Sequence, residues 1–136
     1  MRVRLSPYGD DMNTTNNLVG QFFDRYATAL LARDEQTIAR LYAVPSLILF
    51  PGNPIVVSEV VQTEQFFASS WAQYDGVDAV TRQINVLAEA PGTVWADVTW
   101  SYDGEARERF CYQLVDNGDE YQIAVLTPMS LAPGTS

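Results

Sequence analysis

The sequence predicts an α+β domain: three N-terminal helices packed against a curved antiparallel sheet shaped like a cone, with a pocket enclosed between them. Three observations carry this. The apolar residues recur every three to four positions in the first half of the chain and every second position in the second half. The alternating segments are separated by turn pairs, Asp103-Gly104 and Asn117-Gly118, of the kind that close hairpins. A chain of 136 residues, 47% hydrophobic and 12% aromatic, has enough apolar mass for one core and no more.

Residues 1–14 are polar, carry Pro7 and Gly9 and show no period, so they read as a flexible tail ahead of a domain spanning 15–128. The first helix starts from Asn16 or Asn17 as N-cap, since their short polar side chains can accept from a free backbone N–H. Leu18, Val19, Phe22, Phe23, Tyr26, Leu30 and Leu31 then form one broad stripe. Asp34 caps a short second helix over Asp34–Tyr42, with Ile38, Leu41 and Tyr42 on one face and Pro45 as its stop. Ser46–Phe50 is a short apolar strand, and Pro51-Gly52-Asn53-Pro54 turns the chain before Ile55-Val56-Val57. A third helix runs from Ser58 or Glu59 to Trp71.

Four strands follow, at Asp78–Glu89, Thr93–Asp103, Glu105–Val115 and Glu120–Thr127. Successive strand residues point to opposite faces. Val94, Ala96, Val98, Trp100 and Tyr102 therefore face the core, and Trp95, Asp97, Thr99 and Ser101 face away. On the next strand Glu108, Phe110, Tyr112 and Leu114 face in, while Arg107, Arg109, Cys111 and Gln113 face out. Tyr121, Ile123, Val125 and Thr127 complete the inner wall, and 129–136 is a second flexible tail.

Composition excludes several classes of function. A net charge of −9 repels phosphate backbones and anionic membrane surfaces, so neither nucleic acid nor membrane is an expected partner. No stretch reaches the roughly 20 apolar residues of a membrane span, and with no secretory leader at the start the expected location is cytoplasmic. The absence of histidine removes Ser-His and Cys-His catalysis and imidazole metal sites, so no metal or cofactor is expected. The single cysteine, Cys111, has no intramolecular disulfide partner and no histidine to activate it.

The order helix, helix, short strands, helix, long antiparallel meander resembles the nuclear transport factor 2-like superfamily, which includes ketosteroid isomerases and SnoaL-like polyketide cyclases. Asp24-Arg25-Tyr26-Ala27-Thr28-Ala29-Leu30, then Asp34 and Ile38-Ala39-Arg40-Leu41-Tyr42-Ala43, looks like the first two helices of a ketosteroid isomerase. Val98-Thr99-Trp100-Ser101-Tyr102-Asp103-Gly104 resembles its central hairpin. The likeness covers roughly residues 18–128 and implies a tyrosine, a carboxylate base and a second, protonated acid as the chemical groups; ketosteroid isomerase is itself a standard example of such pKa tuning. The tyrosine falls on Tyr26, but the base position is Phe50 and the second acid position is Phe110. Neither phenylalanine can carry a proton, which argues against steroid isomerisation. The related limonene epoxide hydrolases hold water between two aspartates and an arginine, and only Arg82 resembles a member of that set.

The leading expectation is a domain that binds a small, mostly apolar molecule. Phe22, Tyr26, Trp71, Val98, Trp100, Tyr112, Ile123 and Val125 would line its pocket, with Tyr26 giving the orienting hydrogen bond. The alternatives are an isomerase, cyclase or hydratase using Tyr26 with Glu108 or Arg82, and a non-catalytic interaction module. Each candidate also has a plain reading: Tyr26 as a core tyrosine, Glu108 as a solvated rim carboxylate, Arg82 as half of a surface ion pair. Trp95, Thr99, Cys111 and Gln113 form a mixed outer face suited to a homodimer.

Overall fold

The computed structural model describes residues 9–131, so of the expected tails at 1–14 and 129–136 only positions 1–8 and 132–136 lie outside the described residues, and 9–14 belong to the first helix. Three helices, α1 (Gly9–Leu31), α2 (Glu35–Arg40) and α3 (Val60–Ala68), pack against six strands: β1 (Tyr42–Phe50), β2 (Asn53–Val57), β3 (Val80–Ala90), β4 (Thr93–Tyr102), β5 (Glu105–Asp116) and β6 (Tyr121–Met129). The strand order is β2-β1-β6-β5-β4-β3 in one unclosed sheet. All pairings are antiparallel except β1 with β6, which run parallel. The expected all-antiparallel sheet is thus a mixed one, because the chain enters β1 from the helices and returns to its flank only at β6.

Helix α1 begins at Gly9 and not at Asn16 or Asn17. The polar cluster continues the helix because Thr15 is buried and its hydroxyl donates to Glu89 Oε1 at 2.7 Å, a tertiary anchor at the far end of β3. Val19, Phe22, Phe23, Tyr26 and Leu30 face the core as the spacing requires, while Leu18 and Leu31 stay exposed at the edges of the stripe. Arg33, with φ of 55°, turns the chain, and Asp34 caps α2 by accepting from Thr37 N at 3.1 Å and Thr37 Oγ1 at 2.7 Å.

The second helix is shorter than its pattern, and Tyr42 opens β1. Pro45 lies inside that strand, where the β1–β6 register shifts between Tyr42 and Leu47, so its missing N–H falls at a break in the ladder. Helix α3 stops at Ala68 and not at Trp71: Ser69 and Ser70 hydroxyls both turn back to Phe66 O, at 2.9 and 2.7 Å, and Trp71–Tyr74 forms a separate 3-10 turn. Glu59 N and Ser58 N both donate to Gln62 Oε1, at 2.8 and 2.6 Å, fixing the start of α3.

The β4 and β5 faces are as the alternation requires. Val94, Ala96, Val98, Trp100 and Tyr102 are buried with Phe110, Tyr112 and Leu114. In the centre Phe23 meets Tyr112 and Trp100 with ring centroids 4.9 and 5.9 Å apart, and Tyr26 lies 5.5 Å from Trp100. Tilted and edge-on aromatic pairs of this kind each add about 0.5–1.5 kcal/mol beyond the area they bury.

Candidate functional site

One end of the sheet does not close into solid core. The hairpin at Asp103-Gly104 places Tyr102 and Glu108 on the inner face of adjacent strands, with Trp100 opposite Glu108 and a bulge between Trp100 and Ser101. There a cavity of about 40 Å³ is walled by Phe50, Phe66, Phe67, Trp100, Phe110 and by Tyr26, Tyr74, Tyr102 and Tyr112, with Leu30 and Leu126 filling in. Exposed Gln73 and half-buried Phe50, Phe66 and Ser70 mark where it meets solvent. Glu108 is the one acidic side chain among these lining residues, and no arginine joins it.

The polar groups of the wall are paired in short chains. Tyr26 and Tyr42 hydroxyls are 2.7 Å apart, Trp100 Nε1 donates to Tyr112 Oη at 2.9 Å, and Tyr102 Oη donates to Glu108 Oε1 at 2.5 Å. Burial pushes the Tyr26, Tyr42, Tyr102 and Tyr112 hydroxyls above the usual tyrosine range. Burial, followed by the nearby charge of Glu108, pushes Tyr74 up to about 12. All five hydroxyls therefore hold their protons at neutral pH, and that of Tyr102 is the one that donates to the carboxylate of Glu108.

The segment that roofs the cavity is held from outside. Arg33 Nη2 donates to Tyr74 O at 2.5 Å and Nη1 to Leu30 O at 3.1 Å, while Trp71 Nε1 donates to Glu35 Oε1 at 3.0 Å. These bonds tie the 3-10 turn to the end of α1 and the start of α2.

The structure brings Tyr26, Trp100, Tyr112 and Glu108 together on this wall and leaves other sequence-derived candidates elsewhere. Phe22, Val98 and Ile123 are fully buried in the packed core behind it. Trp71 lies tilted against Phe67, ring centroids 6.0 Å apart, but does not line the cavity. Val125 is a correction: it pairs with Gln113 on the outer face, because the β5–β6 register shifts between Gln113 and Leu114 and one extra residue of β6 is inserted. Beyond that bulge the parity of β6 reverses, so Leu126, opposite Tyr112, takes the inner place. Thr127 moves outward with Val125, opposite Cys111.

Arg82 does share the inward side of β3, yet its guanidinium meets Asp24 at 2.7 Å and Gly20 O at 3.2 Å. It clamps α1 to the sheet edge and is not part of the cavity. Phe50 and Phe110, the positions where the resemblance would place acids, both line the cavity with rings edge to face, centroids 6.2 Å apart.

Tyr74, Gln73 and Ser70 were not among the sequence candidates. The only signal for them was an aromatic-rich stretch, Trp71-Ala72-Gln73-Tyr74, whose 3-10 geometry leaves no period to read. Glu108, by contrast, was a candidate from its inward position, while Tyr102 was placed inward across the hairpin turn but not paired with it.

On the other face of the sheet, Trp95 is 38% exposed beside half-buried Thr99, Cys111 and Gln113. Arg109 grips Asp97 with two nitrogens, at 2.9 and 2.6 Å. Burial, then the charge of Asp97, pushes the Cys111 thiol up, away from the thiolate form. Among the described residues no three acidic, cysteine or histidine side chains gather as a metal site, and no helix is long and apolar enough to cross a membrane.

Residues 15–130 match the family model described as NTF2-like protein (DUF6841). This chain belongs to that family. The NTF2-like domain also superposes on solved structures. One is named as an aromatic ring hydroxylase from Novosphingobium aromaticivorans, with TM-score 0.63, 16% identity, and 85% and 88% of the two chains covered. Another is named for a calcium/calmodulin-dependent protein kinase II association domain from Xanthomonas campestris, with TM-score 0.61, 15% identity, and 85% and 86% covered. A third, a domain of unknown function with a cystatin-like fold from Nostoc punctiforme, has TM-score 0.65, 12% identity, and 87% and 78% covered. At these identities the likeness is one of fold. No curated protein matches the chain.

Proposed function

We propose that this NTF2-like domain binds a small, mostly apolar ligand at the aromatic end of its cone, with Glu108 and the tyrosine hydroxyls orienting it. The observation that carries the reading is the placement of a carboxylate, bonded to Tyr102, in a largely aromatic wall next to solvent-facing Gln73. Glu108 is half-buried there, and concave, mostly apolar sites with a few polar groups are where small ligands bind. A volume of about 40 Å³ holds a few waters or one small chemical group, so a larger ligand enters by displacing the Phe50 and Phe66 rings at the opening. Phenylalanine at both positions assigned to acids by the resemblance favours binding over isomerase-type proton transfer.

Native mass spectrometry of the purified chain, followed by extraction and identification of what travels with it, tests this directly. A co-purifying apolar compound that is lost in a Phe66→Asp variant supports the reading. An empty wild-type spectrum, together with no saturable binding from a library of small aromatic and aliphatic compounds, overturns it.

The outer face carries a second proposal. Trp95, Thr99, Cys111 and Gln113 lie side by side across β4 and β5, and an exposed tryptophan in a mixed apolar and polar patch suits a contact with a second copy. Sedimentation of wild type and Trp95→Lys tests it: a dimer that becomes a monomer supports the pairing, and a monomeric wild type at high micromolar concentration excludes it.

A further inference from the structure

We propose that the group recognised by Glu108 is a compact primary ammonium carried by the ligand. The inference rests on the small-molecule reading above and names the chemistry of that ligand's buried end.

Charge comes first. The chain contains neither lysine nor histidine. Among the described arginines, Arg25, Arg82, Arg107 and Arg109 are each paired with Glu120, Asp24, Glu105 and Asp97. Arg33 is spent on backbone carbonyls of Leu30, Leu31 and Tyr74, and Arg40 is exposed on α2. Among the described residues, then, no arginine forms an ion pair with Glu108; Arg33 is the one nearby, over the Tyr74 ring at 6.0 Å. Glu108 Oε1 accepts from Tyr102, and its Oε2 has no protein donor there. A carboxylate accepts several hydrogen bonds when fully satisfied, so capacity remains for a donor brought from outside.

The surroundings select the kind of donor. Phe50, Phe66 and Phe110 present rings at the same cavity, and aromatic faces attract cations while offering nothing to anions. The net charge of −9 adds a long-range field that draws cations in and repels acidic ligands. A neutral alcohol could bond Glu108 but brings no charge to meet that of the carboxylate, and charge-assisted hydrogen bonds are the stronger ones. The small volume decides between cations: about 40 Å³ admits an –NH₃⁺ group and does not admit a trimethylammonium head without moving the rings. The rest of the ligand then lies against Phe50 and Phe66 at the opening.

Three probes of matched shape, benzylammonium, benzyl alcohol and benzyltrimethylammonium, are titrated into the full chain and followed by NMR shifts of the Trp100 and Glu108 resonances. The expected result is saturable binding of benzylammonium at least roughly tenfold tighter than benzyl alcohol, the difference one charge-assisted hydrogen bond supplies. Glu108→Gln, with its circular dichroism unchanged, brings the two to the same affinity. Glu108→Asp, which shortens the reach but keeps the charge, retains part of the preference. If benzyl alcohol binds as tightly as the amine, the ammonium assignment is overturned and the pocket reading stands. If benzyltrimethylammonium binds as tightly as the primary amine, the site takes bulky cations and the compact-group assignment is overturned. If none of the three binds while the mass spectrum or the compound library still yields a ligand, the ammonium assignment is overturned and the pocket reading stands.

Discussion

The two ends of the cone are built from the same sheet and differ in what fills them. At one end Val19, Phe22, Val94, Leu114 and Ile123 are each at most 2% exposed and bring only hydrocarbon to the contact. At the other end Tyr26, Tyr74, Tyr102 and Tyr112 surround a cavity that also holds Glu108. Neighbouring strands carry both ends: β4 supplies Val94 to the first and Tyr102 to the second, and β5 supplies Leu114 and Glu108. The difference teaches that stability and candidate function are divided along the length of the strands and not between separate elements. Substitutions at the packed end should act on folding, and those at the open end on ligand.

The largest effect is expected where the packed core backs the cavity wall. Phe23→Ala removes a fully buried ring touching Phe22, Trp100 and Tyr112 and should cost about 3–5 kcal/mol in urea unfolding. Phe66→Ala at the half-buried opening should cost about 1–2 kcal/mol. Equal losses would erase the division between the two ends.

Next comes the hydroxyl pair between them. Tyr42→Phe leaves the Tyr26 hydroxyl buried without its 2.7 Å partner and should cost about 1–3 kcal/mol. A neutral result would show that the Tyr26 hydroxyl finds another partner, and would move it into the ligand site proper.

Alkaline titration sharpens the comparison further. Tyr74 ionises near 10.0 when exposed and about 12 when folded, and Tyr26, Tyr42 and Tyr112 are likewise raised. The folded state keeps these protons while the unfolded chain loses them. Their contribution is therefore complete below the unfolded value and declines as pH rises through the window from 10.0 to about 12 for Tyr74. Tyrosinate absorbance should appear together with loss of circular dichroism. Ionisation of buried tyrosines in a chain that stays folded would contradict this.

The smallest effect on stability is expected for Glu108→Gln, which preserves an acceptor for Tyr102 and should change unfolding by less than about 1 kcal/mol while altering ligand affinity. A loss as large as that of Phe23→Ala would make Glu108 a structural group.

Much of this architecture was legible because it is local. A period of two with Asp-Gly and Asn-Gly turns specifies strands, hairpins and faces, which is why Trp100, Tyr102, Glu108 and Tyr112 were placed inward and Trp95 outward from residue order alone. The helical stripe likewise identified Phe22, Phe23 and Tyr26. Chain length, charge and the absence of histidine were enough to narrow the chemistry.

What only the tertiary structure decided depends on contacts between distant residues. Thr15 extends α1 because Glu89 lies beside it, and the parallel β1–β6 pairing joins segments far apart in the chain. The exchange of Val125 for Leu126 follows from one residue inserted against β5, which reverses every later side chain of β6 without any mark in the alternation. Arg82 had the right parity for the cavity but was drawn to Asp24 on the helix above it. The size of the cavity was set last, by how nine aromatic rings from α1, α3, the 3-10 turn and the sheet fit against one another, because packing volume is a property of all the elements together and of none of them alone.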